Sequence, residues 1–163
     1  MQDMLVKLYS LPDYSSLKEK LEQSGIQCRR PLSAEKSIVF QWVQNKFGTG
    51  WASEVDVSFS YQPNSCFIAV KENQIIGFAC YDAAYRNFFG PTGVDESFRG
   101  LGVGKILLME CLEAMRAQGF AYAIIGGVGP AEFYTKTVGA ALIPESDPGV
   151  YKGILSEIPH EAK

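Results

Sequence analysis

Between residues 99 and 105 the chain reads Arg99-Gly100-Leu101-Gly102-Val103-Gly104-Lys105, a stretch whose residue types suit it to holding an anion. Alternate glycines remove side chains from a turn, so backbone N–H groups can approach a ligand closely. An amphipathic pattern begins at once behind them, and a helix N-terminus there would add free amides and a partial positive charge. Arg99 and Lys105 are flanking cations. Together these make a cradle for phosphate or pyrophosphate. The plainer alternative is a glycine-rich turn that serves close packing only. Two nucleotide motifs fail on spacing. A Walker A loop would need glycine where Arg99 stands and a hydroxyl where Ile106 stands. A dinucleotide fingerprint would need a third glycine where the chain has Lys105 or Leu107, depending on the starting glycine.

The elements that must position this turn can be read on either side of it. Residues 102–118 carry Leu107, Leu108, Cys111, Ala114 and Met115 on one helical face and Lys105, Glu110, Glu113 and Arg116 on the other, with Gly119 as the stop. Upstream, residues 66–70 and 74–81 predict an antiparallel hairpin across Glu72-Asn73. Residues 88–94 (FFGPTGV) are apolar but hold two glycines and a proline, which predicts a bulge or local splay near Pro91. Downstream, 120–125 reads as a buried strand and 126–129 as a glycine loop. Pro130 then opens a short helix that ends at Gly139. Residues 141–143 and 150–155 predict a last pair of strands.

Nearer the start, residues 4–11 predict a strand. A helix follows from Asp13 to the stop at Gly25, with Leu17 and Leu21 on one face. Residues 29–33 form a break, Ser33 is a candidate cap, and helices are expected over 34–47 and 51–59. The order describes one α/β (α+β) domain over 1–163, a mixed sheet with helices on both faces.

The pattern R-x-x-G-x-G, filled by Arg99, Gly102 and Gly104, resembles the acyl-CoA signature of the GNAT superfamily of N-acyltransferases. Val94-Asp95-Glu96-Ser97-Phe98-Arg99 is similar to the V-x-P-x-x-R approach to that signature, with Glu96 in place of proline. Ala131-Glu132-Phe133-Tyr134-Thr135-Lys136 is similar to the family's A-x-x-F-Y-x-K helix with one spacer residue fewer. One extra residue then precedes Gly139, Ala140 replaces a common phenylalanine, and the 126–129 run stands where an asparagine is often found. The similarity covers about residues 66–155, and the first sixty fit in element order alone.

The resemblance implies a mostly antiparallel sheet splayed beside the bulged strand. It implies acetyl-CoA as cosubstrate, its pyrophosphate on Arg99, Gly100, Leu101, Gly102, Val103, Gly104 and Lys105, and its pantetheine arm along Val94 and Thr92. An amine would attack the thioester directly, and Tyr134 is the matching position for the group that protonates the departing thiolate. A phenol with a reference pKa near 10 suits that role; the plainer alternative for Tyr134 is a core residue on an amphipathic helix. No base is named. Asp82, at the end of the 74–81 strand, and Glu54, beyond Gly48-Thr49-Gly50, are candidate substrate contacts, and each is equally an ordinary solvated carboxylate. Trp51 and Tyr81 are aromatic candidates beside them. The strings FGPTGV and AYAIIGGVGPAEFY are similar to a bacterial GNAT subset that includes glucosamine and glucosaminide N-acetyltransferases, so a small-molecule primary amine, such as an amino sugar, is the expected acceptor. Protein N-termini, polyamines, aminoglycosides and amino acids stay open. The competing class is a catalytically inactive CoA-binding sensor or interaction module.

Length and composition bound the rest. At 163 residues a single domain is expected, and 47% hydrophobic with 20% charged residues is globular composition. A net charge of −3 gives no general nucleic-acid footprint. Cys28, Cys66, Cys80 and Cys111 are scattered, and His160 is the single histidine. Zinc, a disulfide framework and a His-dependent triad are therefore not expected. No apolar stretch approaches the ~20 residues of a membrane span, and Asp3 spoils a signal-peptide start. The expectation is a cytoplasmic protein without metal, nucleic-acid or membrane partner, with a homodimer left open.

Overall fold

Residues 1–156 are described by a computed structural model, and His160 lies outside them. Among the described residues seven strands and five helices follow in the order β1 (Met4–Lys7), α1 (Ser15–Gln23), β2 (Ile26–Arg29), α2 (Lys36–Phe47), α3 (Thr49–Ser58), β3 (Cys66–Lys71), β4 (Gln74–Tyr81), β5 (Phe88–Val94), α4 (Val103–Ala117), β6 (Tyr122–Ile125), α5 (Ala131–Val138) and β7 (Ala141–Leu142). The strands make one sheet in the order β2-β3-β4-β5-β6-β1-β7. Neighbours are antiparallel except β5 and β6, which are parallel.

Period-two alternation divides the sheet residues between two cores. Ile76, Ala79 and Tyr81 of β4 join the cluster under α4, with Leu107, Leu108 and Met115. Phe78 and Cys80 join Val39, Val43, Ala52 and Val55 of α2 and α3 on the opposite face. Each fully buried Leu, Val or Phe in these clusters contributes roughly 1.5–3 kcal/mol. Gly77 lets α4 lie close, since a Cβ there would stand 3.0 Å from Leu107 Cδ1.

The irregularity expected near Pro91 is a bulge in β5. Ala79 faces Thr92 and Tyr81 faces Phe89, so three residue steps on β5 oppose two on β4. Beyond the bulge β5 and β6 part. Their ladder holds only Phe88↔Ile124 and Phe89↔Ile125.

Four expectations are corrected. β2 forms where the sequence reads only as the approach to a break; it is a four-residue edge strand with only Ile26 buried. β1 ends at Lys7, and Leu8–Ser10 is a 3-10 turn. Residues 150–155 make no strand, because Gly149–Tyr151 is a 3-10 turn and Gly149 and Gly153 take left-handed φ of 58° and 77°. Ser33 does not cap α2. The polar group at that corner is the Glu35 carboxylate, which accepts from the Leu32 N–H (2.7 Å) and receives both Arg29 terminal nitrogens at 2.8 Å. The edge strand β2 is thereby tied to the start of α2.

The hydrogen bonds from Arg29 hold the Glu35 carboxyl down to about 2 from an ordinary 4.5. A carboxyl depressed on folding adds stability that is present above its unfolded pKa and is lost as pH falls through its folded one. Glu35→Gln should therefore lower the urea midpoint at pH 7, and the gap to wild type should close between about 4.5 and about 2. A gap that stays constant through that window would mean the loss came from packing, not charge.

Candidate active site

The turn before α4 is built from Asp95 onward. Asp95 Oδ1 accepts from the Ser97 N–H (2.9 Å), which shapes a 3-10 turn over Glu96–Phe98, and Arg99 leaves it extended. Arg99 Nε donates to the Val94 carbonyl (3.3 Å). Gly100 and Gly102 adopt left-handed φ of 80° and 92°. At Gly102 a Cβ would also meet Leu17 Cδ1 of α1 at 2.7 Å, so protein packing alone demands this glycine. Gly104 is different: its nearest neighbour would be Val94 Cγ2 at an ordinary 3.7 Å, and at Gly100 nothing lies within 4 Å. Those two positions leave the surface open where the chain itself does not need the space. The first helical hydrogen bond runs from the Ile106 N–H to the Gly102 carbonyl (3.0 Å). The N–H groups of Val103, Gly104 and Lys105 precede it and are left for an outside acceptor.

β5 leads from this turn to the bulge. Asp95 N–H donates to the Ile76 carbonyl (2.8 Å), which makes Asp95–Ile76 and, two steps on, Gly93–Phe78 the hydrogen-bonded pairs of the ladder. Val94 and Thr92 are the alternating positions. Their backbone groups point away from β4, toward the side that β6 has left.

In that gap lies a cavity of about 670 Å³, walled from both faces of the sheet. Trp51 and Glu54 reach it from α3, Phe89 and Tyr134 from the core under α4, and residues 126–130 form a loop across it. The loop is anchored from the chain's first residues. Asp3 Oδ1 accepts from the Gly127 N–H (2.8 Å) and the Gln2 carbonyl from the Val128 N–H (3.0 Å). Tyr134 is buried, with its ring edge-on to Phe133 at 5.0 Å and Phe89 at 6.3 Å. Its hydroxyl has no hydrogen-bond partner among the described residues, and burial pushes its pKa up. Burial likewise raises the carboxyl of half-buried Glu54. Tyr151 also lines the cavity, raised first by burial and then by the charges of Glu54 and Asp3.

Trp51, Glu54 and Tyr134 thus share one cavity, and the run from Arg99 to Lys105 lies at the start of α4, connected to it through Val94. Tyr81 and Asp82 lie elsewhere. Tyr81 is 1% exposed, and its hydroxyl accepts from an Arg30 terminal nitrogen (2.9 Å). Asp82 is 3% exposed; it accepts from the Asn87 N–H (2.6 Å) and faces Arg86 Nε (3.5 Å), closing the β4–β5 connection. Neither lines the cavity. Asp82 ends the strand beside the bulged one and Tyr81 is the aromatic next to it, but strand alternation turns Tyr81 into the core, and Asp82, at φ 53°, belongs to the turn. Tyr151 went unnoticed because its neighbourhood reads as a strand. Among the described residues no group of three or more His, Cys, Asp or Glu could hold a metal ion, and no helix is long and apolar enough to cross a membrane.

Residues 34–139 match the model of the acetyltransferase (GNAT) family, and the chain belongs to that family. The match begins at α2, well before the stretch in which the sequence motifs lie. Three solved structures are similar in fold. One is a glucosamine N-acetyltransferase region within a fungal multi-domain GH3 β-N-acetylglucosaminidase (TM-score 0.71, 13% identity), aligned over 87% of this chain and 19% of that one. A GCN5-related N-acetyltransferase from Sphaerobacter thermophilus gives 0.66 at 19% identity over 87% and 48%. A Drosophila protein gives 0.61 at 16% identity over 87% and 47%. The chain therefore spans less than half the length of each. No curated protein matches it in sequence.

The two glycines of the signature should respond in opposite ways to a methyl group. Gly102→Ala forces a left-handed residue against Leu17 and should cost about 1–2 kcal/mol in urea unfolding. Gly104→Ala lies in the first helical turn with room for its Cβ and should leave stability unchanged or higher. Equal losses at both positions would refute this division of labour.

Proposed function

We propose that this chain is an N-acetyltransferase that moves an acetyl group from acetyl-CoA to a primary amine of a small molecule by direct attack. One observation carries the reading. An open glycine turn with free amides stands at one end of the unpaired edge of β5, and the Tyr134 hydroxyl stands at the other, in the cavity.

The residues present fit the cosubstrate. The amides of Val103, Gly104 and Lys105, with Arg99 and Lys105 beside them, suit a pyrophosphate, and the space over Gly100 and Gly104 admits it. Backbone groups of Val94 and Thr92 suit the amides of the pantetheine arm, which would pair there as an added strand does. Acetyl-CoA supplies an activated acyl group. The chain's own part is positioning and proton transfer. Glu54, made more basic by burial, takes the proton that the attacking amine must lose, directly or through one water. Tyr134, kept protonated by burial, gives its proton to the departing thiolate. The C–S bond breaks as the C–N bond forms. The neutral amine loses one proton to Glu54, and the thiolate gains one from Tyr134. Return of the proton from Glu54 to Tyr134 through solvent restores both, an acceptor that arrives as ammonium having first released one proton to solvent. The likeness to the fungal glucosamine N-acetyltransferase region, at 13% identity, is one of fold and leaves the acceptor's class to the cavity.

Two variants test the two ends separately. Tyr134→Phe should keep CoA affinity and lose roughly 10²–10⁴ in kcat, because one oxygen goes and the ring still packs. Turnover near wild type would remove Tyr134 from the mechanism. Gly104→Glu puts a negative charge where pyrophosphate is expected, and each lost charge-assisted hydrogen bond is worth about 1.5–3 kcal/mol. CoA affinity measured by calorimetry should fall by about tenfold or more in a folded protein. Unaltered affinity would end the cradle reading without touching the role of Tyr134.

A further inference from the structure

We infer that the cavity accepts a primary amine carried on an apolar, ring-bearing body, in preference to a polyhydroxylated amino sugar or a polyamine. The inference rests on the reading of the cavity as the acceptor site and narrows the acceptor's class.

The argument is an inventory of hydrogen-bonding groups. Among the described residues six side chains with polar atoms line the cavity: Trp51, Glu54, Thr92, Tyr134, Asp147 and Tyr151. Thr92 Oγ1 already donates to the Phe78 carbonyl (3.1 Å). Asp147 is ion-paired with the amino group of Met1 (2.9 Å). Tyr134 is committed to the leaving thiol in the proposed reaction. Part of the backbone is committed as well. The amides of Gly127 and Val128 are bound to Asp3 and Gln2, those of Tyr151 and Ile154 to the carbonyls of Pro148 and Tyr151, and Pro91, Pro130 and Pro148 have no N–H to offer. Among the described side chains, what remains for an acceptor is one carboxylate, Glu54, with the Tyr151 hydroxyl and the Trp51 indole N–H.

The rest of the wall is apolar, with Phe89, Pro91, Ile125, Val128 and Pro130 prominent. Trp51 is held in place from behind. Its ring lies 5.3 Å from Phe47, tilted by 31°, and 6.2 Å from Phe78, and it is still 38% exposed beside the cavity. A fixed aromatic plane next to a single carboxylate suits an ammonium group attached to a flat or compact apolar body. An amino sugar would bring several hydroxyls against a wall with few free polar side chains among the described residues, and every buried hydroxyl left unpaired weakens binding. A polyamine would bring a second ammonium with no second free carboxylate among the described lining residues to meet it.

The test uses the full chain with acetyl-CoA and three primary amines: 2-phenylethylamine, glucosamine and spermidine. Thiol release gives kcat/KM for each, and calorimetry on CoA-loaded protein gives amine affinity without turnover. The expected result is a kcat/KM for phenylethylamine at least about tenfold above the other two. Trp51→Ala should erase that preference by raising KM for phenylethylamine alone, and Trp51→Phe, which keeps a ring, should restore most of it. Glucosamine or spermidine turned over as well as or better than phenylethylamine would overturn the inference and leave acetyl transfer standing. Tighter binding of phenylethylamine with no thiol released by any amine would uphold the cavity's selectivity and sink acetyl transfer instead. Binding of none of the three would overturn the inference outright.

Discussion

One extra residue in β5 sets the form of everything around it. With three steps on β5 matched to two on β4 between Thr92 and Phe89, the strand bends at Gly90-Pro91 and cannot follow β6. Pro91 has no N–H to give a ladder, and Gly90 takes a φ of 118° that a side chain would resist, so this dipeptide suits the bend. The sheet becomes two antiparallel blocks, β2-β3-β4-β5 and β6-β1-β7, hinged on a two-residue parallel ladder. An open edge normally lies at the margin of a sheet, where water satisfies it. Here it lies in the middle, and unpaired backbone in such a place calls for a partner. A long molecule with amides along its length meets that demand, which is the physical basis for reading the gap as a cosubstrate channel.

The bend would be of little use if it were soft. It is held from the α2–α3 side by aromatic packing: a Cβ at Gly93 would stand only 2.5 Å from the Phe47 ring, so that ring lies directly on β5. Phe47 in turn contacts Trp42, Trp51 and Phe78 with ring centroids between 5.3 and 5.8 Å apart. Pairs of this kind contribute roughly 0.5–1.5 kcal/mol each beyond their buried area. The same cluster therefore fixes the strand edge and the Trp51 wall of the cavity. On the opposite face α4 is brought close over Gly77, and its first turn meets α1 at Gly102. Each half of the candidate site is a by-product of one of the two cores.

What the sequence makes legible follows from how locally each feature is determined. The bulge could be read because glycine and proline in an apolar run conflict with a regular ladder whatever surrounds them. The α4 turn could be read because backbone amides and φ values depend on a few adjacent residues. Features set by distant contacts could not. β2 has four residues and one buried side chain, and it becomes a strand only because β3 offers it an edge. Residues 150–155 have apolar side chains at strand-like intervals, yet Tyr151 turns into the cavity and Leu155 is 94% exposed. Tyr81 and Asp82 were singled out by nearness along the chain, and a single strand step decides whether a side chain there meets the core, the turn or the cavity. Asp3, three residues from the start, anchors the loop at Gly127, a contact spanning 124 positions.

The charges around the cavity narrow the chemistry further. Among the described residues its lining includes no Lys, Arg or His side chain, and the Met1 amino group is paired with Asp147. In the proposed reaction a thiolate would form against these apolar walls, and protonating it removes the buried charge. Tyr134 is the buried acid at hand, and the same desolvation that raises its pKa would make a bare thiolate costly. Desolvation acts on Glu54 in the same sense, bringing its affinity for a proton closer to what an amine releases. A single environmental cause, burial in an apolar gap opened by one bulged strand, thus raises both Tyr134 and Glu54, the directions that the proposed amine acylation needs.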